Sequence, residues 1–269
     1  MTASPLTDIE PLRSLLIVKP LGLFSDIDGT LSPIVPRPED AKVTPRCREL
    51  LLDLIGKGVR VALITGRELD MARSMTGLEG ATYAASHGLD FWVDGSIEMR
   101  VAVGEYPALV DRMLKEIGNL AAPGVTIERK GAGVAFHYRG AADEAAALAA
   151  IERAIESTEA ARHFQRIEGR KVIELRPDVE ASKGTAARRL AHRLGVRSII
   201  CLGDDRTDVD MFQSVAALAN EGLEVRSVAV ISPEIHPDVL AAADYTVEGV
   251  GGVEWLLAEL VNAVTWTGV

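Results

Sequence analysis

Cysteine is nearly absent: Cys47 and Cys201 are the only two in 269 residues. That is too few for a disulfide framework or a thiolate metal site, and it fits a reducing compartment. No apolar run approaches the ~20 residues needed to span a bilayer, so no membrane role is expected. The first residues carry Asp8 and Glu10 and lack a basic-then-apolar signal pattern, so a cytoplasmic location is expected rather than export. A basic surface is missing as well. Lys and Arg number 29 against 39 Asp and Glu, a formal charge of −10, which argues against general nucleic-acid binding. There is no internal repeat, and the one biased segment, an Ala-rich run at 141–150, reads as helix filler. What remains is an ordinary globular chain, 48% hydrophobic, with core enough for one large domain or two modest ones.

The stretch that organises it is Asp26-Ile27-Asp28-Gly29-Thr30-Leu31. It follows a short apolar run, Leu21 to Phe24, that reads as a buried strand, and Gly29 ends the period. Both carboxylates therefore sit just past a strand's C-terminal end, the edge where open α/β sheets bind ligands. Thr44-Pro45 reads as a helix cap with Pro at the first helical position, and Leu50, Leu51, Leu54 and Ile55 give that helix an apolar face. Val59 to Ile64 is a second strand ending in Thr65-Gly66-Arg67, followed by a helix carrying Leu69, Ala72 and Met75. Strand and helix in alternation predict a doubly wound, Rossmann-like, mostly parallel sheet.

The pattern changes near residue 104. A helix from Pro107, a hairpin at Val125–Lys130 and Val134–Arg139, a helix through Leu148, Ile151 and Ile155, and a hairpin at 164–168 and 171–176 predict an inserted α+β unit. We therefore expect a core over 1–103 and 177–269 with a smaller cap over 104–176. Period-two counting puts Val125, Ile127, Val134, Phe136, Tyr138, Ile173 and Leu175 on one face of its sheet, with Arg129 as an exception. The other face collects Glu128, Lys130, His137, Arg139, Glu174 and Arg176. A solvated face and a face that grips a polyol are equal readings of that set. After Pro177 the α/β pattern resumes. Lys183 opens a helix, and the strand Ile199–Leu202 ends in Gly203-Asp204-Asp205-Arg206-Thr207-Asp208.

Strand ends of a parallel sheet share one rim, so Asp26, Asp28, Thr65, Asp204, Asp205 and Asp208 can converge with Lys183. Converged carboxylates repel by ~4 kcal/mol per pair at ~4 Å and an effective dielectric near ~20, so a cation belongs among them. No His or Cys is in these clusters, and an all-oxygen donor set points to Mg²⁺. A metal with Thr65 and Lys183 suits a phosphate. Asp26 then acts as nucleophile toward phosphorus and Asp28 as general acid and base.

Asp-x-Asp-Gly-Thr-Leu, a hydroxyl residue after the second strand, a Lys opening a helix and Gly-Asp-Asp-x-x-Asp resemble the four motifs of haloacid-dehalogenase-like phosphatases, in order. Gly203-Asp204-Asp205-Arg206-Thr207-Asp208, Thr65-Gly66-Arg67, His87-Gly88, Glu128-Arg129-Lys130-Gly131 and Glu174-Leu175-Arg176-Pro177 sharpen the resemblance to trehalose-6-phosphate phosphatases. It implies Mg²⁺ on Asp26, the Asp28 carbonyl and Asp204, and phosphate on Thr65, Gly66 and Lys183. It also implies sugar hydroxyls on Glu128, Lys130 and Glu174 of the cap. Arg67 either touches substrate or pairs with an acid. Asp205 and Asp208 are expected behind the ligands, orienting Lys183 or metal-bound water, with a helix N-cap as the alternative for Asp208, and His87 is expected to be structural. Val209 stands where the family usually has Glu. The expected reaction is hydrolysis of trehalose 6-phosphate by a cytoplasmic monomer. The rivals are another sugar phosphate (sucrose 6-phosphate, or a mannosyl- or glucosyl-glycerate phosphate), a phosphomutase, a phospho-accepting receiver and a non-catalytic phosphatase-like protein.

Overall fold

The computed structural model describes residues 3–264 except 101, 102, 119 and 121, with Met99 and Arg100 described in backbone only. The chain divides into two compact units, Met1–Val101 with Ala181–Val269, and Ala102–Glu180.

In chain order the first unit opens with a two-residue strand β1 (Ser4–Pro5) and a short helix α1 (Arg13–Ile17). The buried strand β2 (Leu21–Ser25) leads through the Asp26 loop to α2 (Pro45–Gly56), where the Thr44 hydroxyl caps the Cys47 N–H. Strand β3 (Arg60–Ile64), helix α3 (Leu69–Thr76) and strand β4 (Thr82–Ala85) follow, then a hairpin of β5 (Asp90–Val93) and β6 (Ser96–Arg100). That hairpin extends the sheet antiparallel beyond β4. The sequence does carry a signal for it: Asp94-Gly95 has φ of 49° and 83°, both positive as a tight hairpin turn requires.

The second unit holds α4 (Tyr106–Ile117), β7 (Thr126–Lys130), β8 (Gly133–His137), α5 (Glu144–Ser157), β9 (Phe164–Gly169) and β10 (Val172–Pro177). The chain then returns to the first unit with α6 (Lys183–Arg193), β11 (Ser198–Gly203), α7 (Arg206–Ala217), β12 (Glu224–Ile231), α8 (Pro237–Ala242), β13 (Tyr245–Glu248) and α9 (Gly249–Ala263).

The first unit's nine strands run in the order β1-β13-β12-β11-β2-β3-β4-β5-β6, parallel from β1 through β4. Alternation along each strand feeds two cores. Leu23, Leu63, Ile200, Leu202 and Val228 pack under α2, α3 and α9, while Phe24, Ala62, Ile64, Cys201 and Ala229 pack under α6, α7 and α8. From β2 the chain moves outward through β3 and β4, then returns to the opposite side of β2 with β11. The gap between β2 and β11 is thus the switch point where such sheets bind ligands.

The second unit is a four-stranded antiparallel sheet, β7-β8-β10-β9. Its apolar face carries Val134, Phe136, Ile173 and Leu175 against Leu109, Val110 and Met113 of α4 and Ile151 of α5. Arg129, the exception on that face, lies on an edge strand and reaches around to Asp111 and the Pro107 carbonyl of α4. β10 continues to Pro177, paired with Phe164, and the next N–H, that of Asp178, donates to the Tyr106 hydroxyl at 2.9 Å. No helix among the described residues is long and apolar enough to cross a membrane.

Candidate active site

The Asp26 N–H donates to the Leu202 carbonyl at 3.0 Å, which carries the β2–β11 ladder one residue past the strand. The Asp26 side chain is therefore delivered to the switch point on a fixed backbone. The loop then folds tightly: Gly29 N–H donates to Ser32 O at 2.7 Å, and Leu31 and Ser32 N–H both donate to Ile27 O. Gly29 has φ of 82°, and a Cβ there would lie 2.0 Å from Asp204 Oδ2. Glycine is required twice over, by conformation and by space. Gly29→Ala should therefore push Asp204 off its position and lower turnover by about 10²-fold, the scale of a ~1 Å misplacement, with fold retained by circular dichroism. Near-normal turnover would show that Asp204 need not sit there.

Lys183 and Asp208 complete the arrangement. Lys183 Nζ lies 2.9 Å from Asp26 Oδ1 and 2.7 Å from Asp208 Oδ1, with all three side chains buried. Asp208, in the first turn of α7, turns its other oxygen back to the N–H groups of Asp204 and Asp205, each at 3.0 Å. It thus orients both the lysine and the strand end, while Asp205 is the N-cap residue of α7. Burial pushes the Asp26 carboxyl up to about 7, against the pull of Lys183 and with repulsion from Asp208 and Asp28. Burial pulls Lys183 down, but Asp208 and Asp26 outweigh it and hold the ammonium above its ordinary value.

The lysine is aimed by its helix. Ser182 and Thr185 cap each other across the start of α6, at 3.1 and 2.9 Å. The Gly184 N–H donates to Asp210 Oδ2 at 2.8 Å, and a Cβ on Gly184 would meet Asp210 and Ser214 within 2.6 Å. Asp210 had no role in the sequence reading, yet it ties the first turn of α6 to α7. On the other flank, the Thr65 hydroxyl oxygen accepts from the Arg67 N–H at 3.2 Å. Ser86 and His87 N–H donate to the carbonyls of Arg67 and Thr65, at 2.8 and 2.9 Å. The His87 ring lies so close over Gly66 that a Cβ there would be 2.3 Å from Nε2.

Among the described residues, Asp26, Asp204 and Asp208 form a group whose carboxylate oxygens lie within 4.8 Å of one another, all buried. Three carboxylates against one ammonium is an oxygen-only, negatively charged set, which fits a hard divalent cation. Both Asp208 oxygens are already engaged by Lys183 and two N–H groups, so Asp26 and Asp204 are the carboxylates suited to an ion. The Asp28 carboxylate is not in that group. It faces Arg67, which reaches both its oxygens, at 2.6 and 2.7 Å.

In the second unit the polar sheet face is a connected network. Lys130 Nζ lies 2.8 Å from Glu174 Oε1, His137 Nε2 lies 2.7 Å from Glu128 Oε2, and Arg176 Nε donates to Glu174 Oε2 at 2.7 Å. Burial alone would raise Glu128, but the His137 hydrogen bond and the Lys130 charge outweigh it and hold the carboxyl below its ordinary value. Ala135 of β8 sits between Glu128 and Glu174 in register, so small bulk there lets β7 and β10 side chains meet above it.

The family model of trehalose-phosphatase matches residues 24–238, which spans both units. The chain belongs to the trehalose-phosphatase family. Over 214 residues it is 36% identical to a trehalose-phosphate phosphatase of Mycobacterium avium, covering 76% of this chain and 53% of that protein. It is also 34% identical over 252 residues to an uncharacterized glycosyl hydrolase of Mycobacterium tuberculosis, covering 88% of this chain and 18% of that one. The chain therefore spans about half, or less, of the length of these curated relatives. Among solved structures, the C-terminal domain of the Candida albicans trehalose-6-phosphate phosphatase superposes with a TM-score of 0.78 at 23% identity, over 97% of this chain and 99% of that one. At that identity the likeness shows the fold, a mostly parallel α/β core with an inserted α+β unit. All the motif residues of this trehalose-phosphatase family member except those of the inserted unit lie on one rim of one sheet.

Proposed function

We propose that the protein hydrolyses trehalose 6-phosphate to trehalose and inorganic phosphate through an aspartyl-phosphate on Asp26. The observation that carries this reading is the buried Asp26–Lys183–Asp208 cluster beside Asp204 at the switch point, in a chain of this family. Mg²⁺ would be held by the Asp26 and Asp204 carboxylates and the Asp28 carbonyl, where it supplies charge neutralisation for the transferring phosphoryl group. Lys183, Thr65 and Gly66 bind and orient that group. Asp26 attacks phosphorus, the phosphorus–oxygen bond to the sugar breaks, and the leaving oxygen takes its proton from Asp28. Water then attacks phosphorus, gives its proton to Asp28, and the Asp26 carboxylate is regenerated as phosphate leaves. Asp205 and Asp208 hold the Lys183 and Asp204 geometry.

Glu128, Lys130 and Glu174 are assigned to the sugar hydroxyls. Their network within the second unit supports this, since each can exchange a partner on the protein for one on a polyol. A hydrogen bond to a charged group contributes about 1.5–3 kcal/mol, so Glu174→Gln should raise KM for the sugar phosphate roughly 10- to 100-fold. Hydrolysis of a plain aryl phosphate should suffer far less; equal losses on both would remove the residue from sugar recognition.

A phosphate-release assay over trehalose, sucrose, glucosylglycerate and mannosylglycerate phosphates with Mg²⁺ tests the substrate. Highest kcat/KM on trehalose 6-phosphate is expected, and a clear preference for another ester would replace it. Transfer of phosphate between sugar positions without release would make the protein a mutase. We place it in the cytoplasm as a monomer; the free buried thiols of Cys47 and Cys201 agree with a reducing compartment.

A further inference from the structure

Arg67 and Asp28 come from two different loops, the one after β3 and the one after β2. The guanidinium meets the carboxylate as a fork: Nε to Oδ2 at 2.6 Å and Nη2 to Oδ1 at 2.7 Å. Both side chains are partly sheltered, 11% and 30% exposed. The third guanidinium nitrogen, Nη1, faces the Met71 sulfur at 3.0 Å, a weak acceptor. The arginine's own backbone is fixed on both sides, its N–H on the Thr65 hydroxyl and its carbonyl on the Ser86 N–H. Ser86 and His87, which supply that anchor, both adopt left-handed conformations, with φ of 50° and 56°. Such conformations persist where the surroundings impose them.

Asp28 has the opposite situation. It lies in a loop two residues past the buried Asp26, with which its carboxylate repels, and a lone Asp can rotate about two side-chain bonds. A two-point fork removes that freedom, where a single ammonium would not.

We propose that Arg67 is a positioning residue for the proton-transferring carboxyl of Asp28, rather than a group that grips the sugar. This rests on the reading of Asp28 as general acid. In the first step one Asp28 oxygen gives its proton to the leaving oxygen as the phosphorus–oxygen bond breaks, and its partner oxygen keeps a hydrogen bond from Arg67. In the second step the same oxygen takes the proton of the attacking water. The fork thus opens at one tooth when that oxygen takes up a proton from solvent before the first step, and closes again when the proton recovered from the attacking water is returned to solvent after product has left.

The test is the dependence of kcat/KM on the leaving group, measured over esters from an acidic nitrophenol through phenol to the sugar phosphate. An acidic phenol leaves without a proton, whereas a sugar alcohol does not. Aryl esters also lack the sugar, so contacts to it cannot enter their part of the series. Arg67→Met should lower turnover of the sugar phosphate by about 10²-fold, the low end of general-acid effects, and that of the most acidic phenol by only a few fold. The slope across the aryl series should steepen, Asp28→Asn should steepen it likewise, and the double variant should be no worse than Asp28→Asn alone. Arg67→Lys, which keeps the charge and one hydrogen bond, should fall between and serves if the Met variant does not fold. An equal loss by Arg67→Met on every ester, with Asp28→Asn steep, would overturn the proposal and make Arg67 a phosphate or structural group. A flat series for Asp28→Asn would overturn the assignment of the acid, and this proposal with it.

Discussion

Asp26→Asn lowers phosphate release by at least about 10⁴-fold, the scale on which loss of an attacking group acts. The same variant should fold normally. Asp26 is buried, and burial has pushed its carboxyl up to about 7, so the ionised form is costly in the metal-free protein and a neutral amide is not. The sign of the pH effect follows. A carboxyl with an ordinary value near 3.8 when unfolded and about 7 when folded binds more protons in the native state between those limits. Its contribution to stability therefore falls as pH rises through that window, full below it and lost above it. Thermal melts in a chelator should show wild type losing ground to Asp26→Asn from about pH 4 to about pH 7, and added Mg²⁺ should close the gap by favouring the ionised carboxylate. Parallel melting curves for the two proteins would contradict this, as would an active Asn variant.

Lys183→Met should damage both stability and catalysis. It leaves Asp26 and Asp208 facing each other with no ammonium between them, in a setting where Lys183 itself is 3% exposed. Breaking a buried charge pair by removing one partner costs about 3–5 kcal/mol, which for a chain of this size lowers Tm by roughly 10 °C. Turnover should fall about 10²- to 10³-fold, because the transferring phosphoryl group loses a cation aimed at it. Lys183→Arg should not rescue either quantity, since a planar guanidinium does not fit a space shaped for an ammonium. A Met variant with unchanged Tm, or an Arg variant of full activity, would show that the lysine is not the hub of the cluster.

Much of this was legible from the sequence because parallel sheets leave little choice. Once Leu21–Phe24 and Ile199–Leu202 read as buried strands, their tips had to share a rim, which brings Asp26 and Asp204 together without knowledge of side-chain packing. Alternation likewise separated the apolar and charged faces of the second sheet, because a strand cannot turn one residue without turning its neighbours. Other features depend on long-range packing. Thr82–Ala85 is a short Thr-Tyr-Ala-Ala run with no alternation, and it is a strand because β3 and β5 pair with it on either side. The β1 strand, Ser4–Pro5, exists only because β13 offers an edge. Which acid Arg67 meets depends on two loop conformations that no spacing encodes. The sequence offered Asp208 as a helix N-cap, but Asp205 takes that place and Asp208 falls in the helix's first turn. That it would hold Lys183 with one oxygen and two backbone N–H groups with the other came only from the geometry of the cap.

The measurement that bears most directly on the central claim is peptide mapping of enzyme quenched in acid during turnover of trehalose 6-phosphate with Mg²⁺. The account predicts one phosphoryl group per trapped chain, on Asp26, absent without the metal and absent in Asp26→Asn. Phosphate released at the normal rate with no phosphoryl group on Asp26, or with one on a different residue, would contradict it.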